Sequence, residues 1–144
     1  VEVGEGQAFA TGSRRFDRII VDAPCSGLGA LRRRPEARWR KSPAGVKELV
    51  VLQRELLDSA AEALAVDGIL AYVTCSPHNA ETRSQVADFL YRHKDWELVS
   101  AAPYLPEPVR DFGILQSDGA IQMWTDLHGS DAMFMALLRR KVES

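Results

Sequence analysis

Two cysteines, Cys25 and Cys75, each follow closely on a short apolar run. Cys25 lies in Asp22-Ala23-Pro24-Cys25-Ser26-Gly27 and Cys75 in Thr74-Cys75-Ser76-Pro77, so both sit among turn-forming residues and not inside the runs. A free cysteine is most often a small buried hydrophobe. A cysteine set in a turn is placed where a reactive thiolate is usually found. The pair is open to nucleophilic addition, dithiol redox exchange, metal ligation, or none of these. Two cysteines are too few for a disulfide framework, and their spacing matches no common zinc pattern. His78, His93 and His128 are scattered, so no metal is expected. The absence of Cys-x-x-Cys disfavours a thiol oxidoreductase.

The elements around the cysteines decide whether they can meet. Phe16 to Asp22 is a β-branched apolar run suited to a buried strand. From Ala44 to Ala65 apolar residues recur at helical spacing, with Ser42-Pro43 as cap and first turn and Asp67-Gly68 as the stop. Ile69 to Thr74 is a second strand, and Ala80 to His93 a second helix with Asn79 as its cap. Trp96 to Ser100, Gly119 to Thr125 and Ala132 to Arg139 read as further strands, the last at or near an edge. Pro103 to Asp118 is expected as a long irregular loop. Strand, helix, strand, helix, strand is the pattern of a mostly parallel sheet covered on both faces. Ligands bind beyond the carboxyl ends of such strands. If the first two strands are neighbours, about 4.8 Å apart, both thiols face one crevice.

The 144 residues, 46% of them hydrophobic, suit one domain. No apolar run reaches the roughly 18 residues of a membrane span, and residues 1–10 lack a signal-peptide pattern, so a soluble, cytoplasmic protein is expected. The net charge is −2, yet residues 32–41 carry Arg32, Arg33, Arg34, Arg38, Arg40 and Lys41 against Glu36, a local balance of +5. A basic loop on an acidic body is a localised anion-binding surface or a solvated loop. Trp39 within it either stacks on a ligand or packs beneath the loop. Val1-Glu2-Val3 reads as the end of a strand, and the chain as a fragment.

Asp22 to Gly27, Arg34-Pro35-Glu36, Trp39 and Thr74 to Pro77 resemble the motifs of the RNA 5-methylcytosine methyltransferases of the Fmu/Sun and nucleolar-protein type, most nearly the bacterial small-subunit ribosomal RNA enzymes. The likeness runs from Phe16 to Arg140 and includes Gly129-Ser130-Asp131-Ala132-Met133-Phe134. It implies an α/β chain forming the C-terminal portion of a Rossmann-like, S-adenosylmethionine-dependent fold, mostly parallel with an antiparallel strand near the end. Residues 1–144 would then be a single, incomplete catalytic domain. RNA, ribosomal RNA in particular, is the implied partner, with neither membrane nor metal.

The resemblance also implies a chemistry. C5 of cytosine is a poor nucleophile, and a thiolate adding to C6 makes C5 enamine-like, which splits one hard step into two easier ones. Cys75 takes the nucleophile's place in the family motif, and Cys25 the place of the thiol that assists release. Asp22 would hold the N3 or N4 edge of the base and also border the cofactor; the alternative is a turn aspartate bonded to its own loop. Pro24, through its carbonyl, Ser26 and Arg33 are expected at the substrate, because arginine–phosphate contacts position a strand whose unpaired base is flipped into the pocket.

The family's Gly-rich cofactor turn and the acid after its second strand are not found. Gly4-Glu5-Gly6-Gln7 is no dinucleotide fingerprint; it resembles the turn after the third strand, with Glu5 in place of an aspartate near the adenine. The chain alone is therefore expected to bind the cofactor weakly or not at all. The alternative function is a non-catalytic RNA-binding or assembly module derived from such an enzyme. A DNA substrate would suit the same chemistry, and the motif pair is what favours RNA.

Overall fold

A computed structural model describes residues 4–6, 13–40, 42–110 and 112–142. Val1-Glu2-Val3, Gln7 and Lys41 lie outside these residues. Strand β1 (Phe16–Asp22) and strand β2 (Leu64–Thr74) pair in parallel, with Ile19 beside Leu70, Val21 beside Tyr72 and Asp22 beside Val73. Helix α1 (Pro43–Ala63) is the crossover between them. The Ser42 hydroxyl accepts from the Gly45 amide at 3.1 Å, and Pro43 opens the helix, where a missing N–H costs nothing. Helix α1 does not run on to the expected stop at Asp67-Gly68. It ends at Ala63, Leu64 turns extended and pairs with Phe16, and the next contact is Ile69 with Arg18, so Asp67-Gly68 lies in a bulge of β2.

Helix α2 (Arg83–Arg92) follows a short 3-10 turn over Asn79–Glu81. Asn79 is not its cap: Thr82 holds that position in α2 without a side-chain bond, and His78 caps the 3-10 turn, its Nδ1 accepting from the Ala80 amide at 3.2 Å. Strand β3 (Trp96–Val99) comes next, then the short helix α3 (Glu107–Arg110), strand β4 (Ile121–Met123), the short helix α4 (Thr125–His128) and strand β5 (Met133–Arg140). The sheet order is β1-β2-β5-β3. Strand β5 is antiparallel to β2, β3 and β4, so four strands run one way and β5 alone opposes them. The last strand, expected at or near an edge, lies one place in from it: β5 has β2 along one side and β3 and β4 end to end along the other.

Side chains alternate across these strands, and the alternation builds two cores. Leu70, Tyr72, Phe134, Ala136 and Leu138 face α1 and α2, meeting Leu57, Ala60, Ala61, Val86 and Phe89. Ala71 and Leu137 face the other way, against Ala101, Ile114 and Ile121. The stretch expected as a loop, Pro103 to Asp118, therefore supplies the cover of the second face, with Leu105, Val109 and Leu115 packed on it. Among the described residues no helix is long and apolar enough to cross a membrane.

Candidate active site

The parallel register sets the site. Asp22 is level with Val73, and the Ala23 amide still donates to the Val73 carbonyl at 2.9 Å. Pro24 has no N–H to continue the ladder, so the chain leaves the sheet there. On β2 the ladder ends at Thr74, and Ser76 and Pro77 form the turn. The two thiols emerge together, with Cys25 Sγ 3.3 Å from Cys75 Sγ. Both are free and half-buried. Burial first, then the neighbouring Cys75 sulfur, push the Cys25 thiol up to about 12. Cys25 therefore keeps its proton at neutral pH, within hydrogen-bond reach of the sulfur beside it.

Three loops are stitched around the pair. The Gly29 amide donates to the Cys75 carbonyl at 3.0 Å, and the Ala132 amide donates to the Gly29 carbonyl at 3.0 Å. A Cβ on Gly29 would stand 2.0 Å from the Ala132 carbonyl oxygen and 2.9 Å from that of Cys75, so glycine alone permits this approach. Gly27, at φ 68°, makes the left-handed turn that leads into the 3-10 turn over Leu28–Ala30.

Asp22 lies at one end of an open groove of about 440 Å³ along β1, lined also by Gly6, Ile19, Leu56, Ser59 and Ala60. Glu5 is exposed beside Gly6, whose carbonyl accepts from Ser59 Oγ at 2.9 Å. The Pro24 carbonyl accepts from Gln53 Nε2 at 2.9 Å. Ser26, expected at the substrate, is instead fully buried, with its amide and hydroxyl both given to Glu81. Arg33 is exposed, and its guanidinium grips Asp131 through Nε, at 3.0 and 2.9 Å from the two carboxylate oxygens, and through Nη2. That partner holds the Asp131 carboxyl below the usual range. Trp39 is 82% exposed, with the Arg38 guanidinium 5.0 Å from its ring centroid, so it does not pack beneath the basic loop. Among the described residues no three His, Cys, Asp or Glu side chains cluster as a metal site.

Sequence reasoning missed Glu81, Gln53, Gly29 and Asp131. Gln53 had a signal: it lies four residues before Leu57, on the apolar stripe of α1, where a polar residue needs a buried partner. Glu81 had none, since an acid near a helix start reads as an ordinary first-turn residue.

Comparison with known proteins gives the geometry a context. The family model for 16S rRNA methyltransferase RsmB/F matches residues 3–139. Over 125 residues the chain is 53% identical to a Mycobacterium tuberculosis protein described as a methyltransferase, covering 87% of this chain and 26% of that protein. It is 41% identical to the ribosomal RNA small subunit methyltransferase B of Pectobacterium carotovorum over 125 residues, again covering 87% and 26%. NSun6 from Pyrococcus horikoshii, solved with SFG, shares the fold at a TM-score of 0.78 and 24% identity, over 99% of this chain and 34% of that one. The chain thus spans about a quarter of the length of these curated relatives.

Proposed function

The chain belongs to the 16S rRNA methyltransferase RsmB/F family, and on that premise we propose that it carries the nucleobase chemistry of an S-adenosylmethionine-dependent RNA cytosine-5 methyltransferase. The observation that carries the proposal is the 3.3 Å approach of two free thiols at the carboxyl ends of adjacent parallel strands.

Cys75 loses its thiol proton to water and adds as the thiolate to C6 of a flipped cytosine, forming the S–C6 bond as the C5–C6 double bond breaks and turning C5 into a nucleophile. Cys25, which holds its proton, stands within hydrogen-bond reach of the Cys75 sulfur as it attacks. S-adenosylmethionine supplies the electrophilic methyl group that C5 receives. The C5 proton then leaves to water and the S–C6 bond breaks. The same Cys25 S–H stabilises the sulfur as it departs, which is the release role. Asp22, beside Val73 at the end of β1, holds the N3 or N4 edge of the base.

The groove along β1 has the volume of a small-molecule site and is mostly apolar, with Asp22 at the carboxyl end of the strand. Asp22 and Gly6 would hold the cofactor there, with Glu5 alongside. Ribosomal RNA is the proposed substrate, met by Arg33 and by Trp39 with Arg38 stacked on it. The test is transfer of a labelled methyl group to small-subunit ribosomal RNA by the full-length protein that carries this sequence. Transfer is expected, with complete loss in Cys75→Ala. RNA binding without transfer would establish the non-catalytic alternative.

A further inference from the structure

The two cysteine loops share one anchor that touches neither sulfur. Glu81 is fully buried in the 3-10 turn over Asn79–Glu81. Its Oε1 accepts from the Ser26 amide at 2.7 Å and from Gln53 Nε2 at 3.2 Å. Its Oε2 accepts from the Ser26 hydroxyl at 2.5 Å and the Ser76 hydroxyl at 2.6 Å. Ser26 follows Cys25 in the chain and Ser76 follows Cys75. The carboxylate therefore bonds to the residue next to each thiol, and the two serine hydroxyls meet at 3.2 Å as the two sulfurs do at 3.3 Å. Glu81 is itself fixed, since its carbonyl accepts from the hydroxyl of Tyr72, near the end of β2, at 2.8 Å. Burying a carboxylate is costly unless donors surround it. Here four donors converge on two oxygens, and three of them come from the cysteine loops.

We infer that Glu81 is a positioning residue of the thiol pair, setting the separation and mutual direction of the Cys25 and Cys75 sulfurs. Its consequence for methyl transfer rests on the function proposed above, whereas its consequence for thiol geometry does not. A glutamine at this position keeps the shape but puts an NH2 where Oε2 accepted, so both serine hydroxyls must turn round to accept and the charge-assisted bonds to the two loops become weaker neutral ones. A misplacement near 1 Å costs about 100-fold in rate at a reacting group.

The test is Glu81→Gln, read in two ways. Diamide removes two hydrogens from a vicinal thiol pair and joins the sulfurs, so its rate of closing Cys25 to Cys75 reports their geometry without RNA or cofactor. Closure is expected to slow at least 10-fold in a variant whose circular dichroism shows a folded chain. In the methyl-transfer assay kcat is expected to fall about 100-fold with KM for RNA unchanged. Ser76→Ala removes a single bond to the carboxylate and serves if Glu81→Gln does not fold; it is expected to slow closure several-fold. Closure rates within two-fold of wild type in a folded variant would overturn the inference, whatever happens to stability. A wild-type protein that transfers no methyl group, while closure remains sensitive to Glu81→Gln, would refute the proposed function and uphold the positioning role.

Discussion

Gly29→Ala adds one methyl group at the point where the loops of both cysteines meet the chain before β5. The new Cβ would lie 2.0 Å from the Ala132 carbonyl oxygen, 2.9 Å from its carbon and 2.9 Å from the Cys75 carbonyl oxygen. All three are backbone atoms, so no side chain can rotate away. Reaching van der Waals range takes ~1 Å or more of separation. Two hydrogen bonds of 3.0 Å, Gly29 to Cys75 and Ala132 to Gly29, then stretch past useful length. Each group left without a partner costs ~1–3 kcal/mol, and the stiffer unfolded chain returns ~0.4–1 kcal/mol. With one such group per bond the net loss is ~1–6 kcal/mol, or a urea midpoint lower by ~0.5–3 M at a slope of ~2 kcal/mol/M. Gly27→Ala is the control: φ is 68° there and nothing lies within 4 Å, so only the left-handed penalty of ~1–2 kcal/mol applies. Urea unfolding of the three proteins, paired with diamide closure of the thiols, checks this. Gly29→Ala should be the less stable variant and the one whose thiols close slowly. A Gly29→Ala protein within ~0.5 kcal/mol of wild type, the spread of ordinary surface changes, would refute the steric reasoning.

Two further outcomes follow from the same loops. The Cys25 thiol is raised in the fold from 9.0 to about 12 by burial and by the Cys75 sulfur, so the unfolded chain releases this proton first as pH rises. Its contribution to stability is complete below pH 9 and is lost on the way to pH 12, with a slope below the one-proton limit of ~1.4 kcal/mol per pH unit because the thiol is partly exposed. Buried Tyr72 is raised as well and adds to the alkaline loss. The difference between wild type and Cys25→Ala in denaturant titrations across that window isolates the cysteine, and parallel curves would contradict the assignment. Arg33→Ala should leave the urea midpoint essentially unchanged, since the Arg33–Asp131 pair is exposed on the arginine side. It should weaken ribosomal RNA binding and lower the salt slope by ~0.7–0.9, the value of one lost phosphate contact.

The meeting of the cysteines was legible because parallel pairing has few free parameters. Two apolar runs joined by one amphipathic helix become neighbours, and a cysteine just beyond each run must then emerge on the same end of the sheet. The helix bounds were legible to within two residues at α1, where Ser42-Pro43 marks the start. The end was misplaced because Asp67-Gly68 looks like a helix stop, whereas pairing of Leu64 with Phe16 pulled the chain into the sheet earlier. The place of β5 near an edge was legible but its neighbours were not, since the run from Ala132 carries no mark of which strands will flank it. Ser26 misled for a related reason. A serine beside a reactive cysteine looks like a substrate contact, and only the fold brings Glu81 from 55 positions away to take both its donors.

The central claim is the division of labour between the two thiols, and the direct measurement of it is the covalent protein–RNA adduct. Full-length protein carrying this sequence is incubated with ribosomal RNA and S-adenosylmethionine, denatured and resolved by gel. Cys25→Ala is expected to accumulate a denaturation-resistant adduct that wild type does not. The Cys25→Ala, Cys75→Ala double variant is expected to form none. An adduct that persists without Cys75, or that Cys25→Ala fails to accumulate while methyl transfer continues at the wild-type rate, would contradict the account.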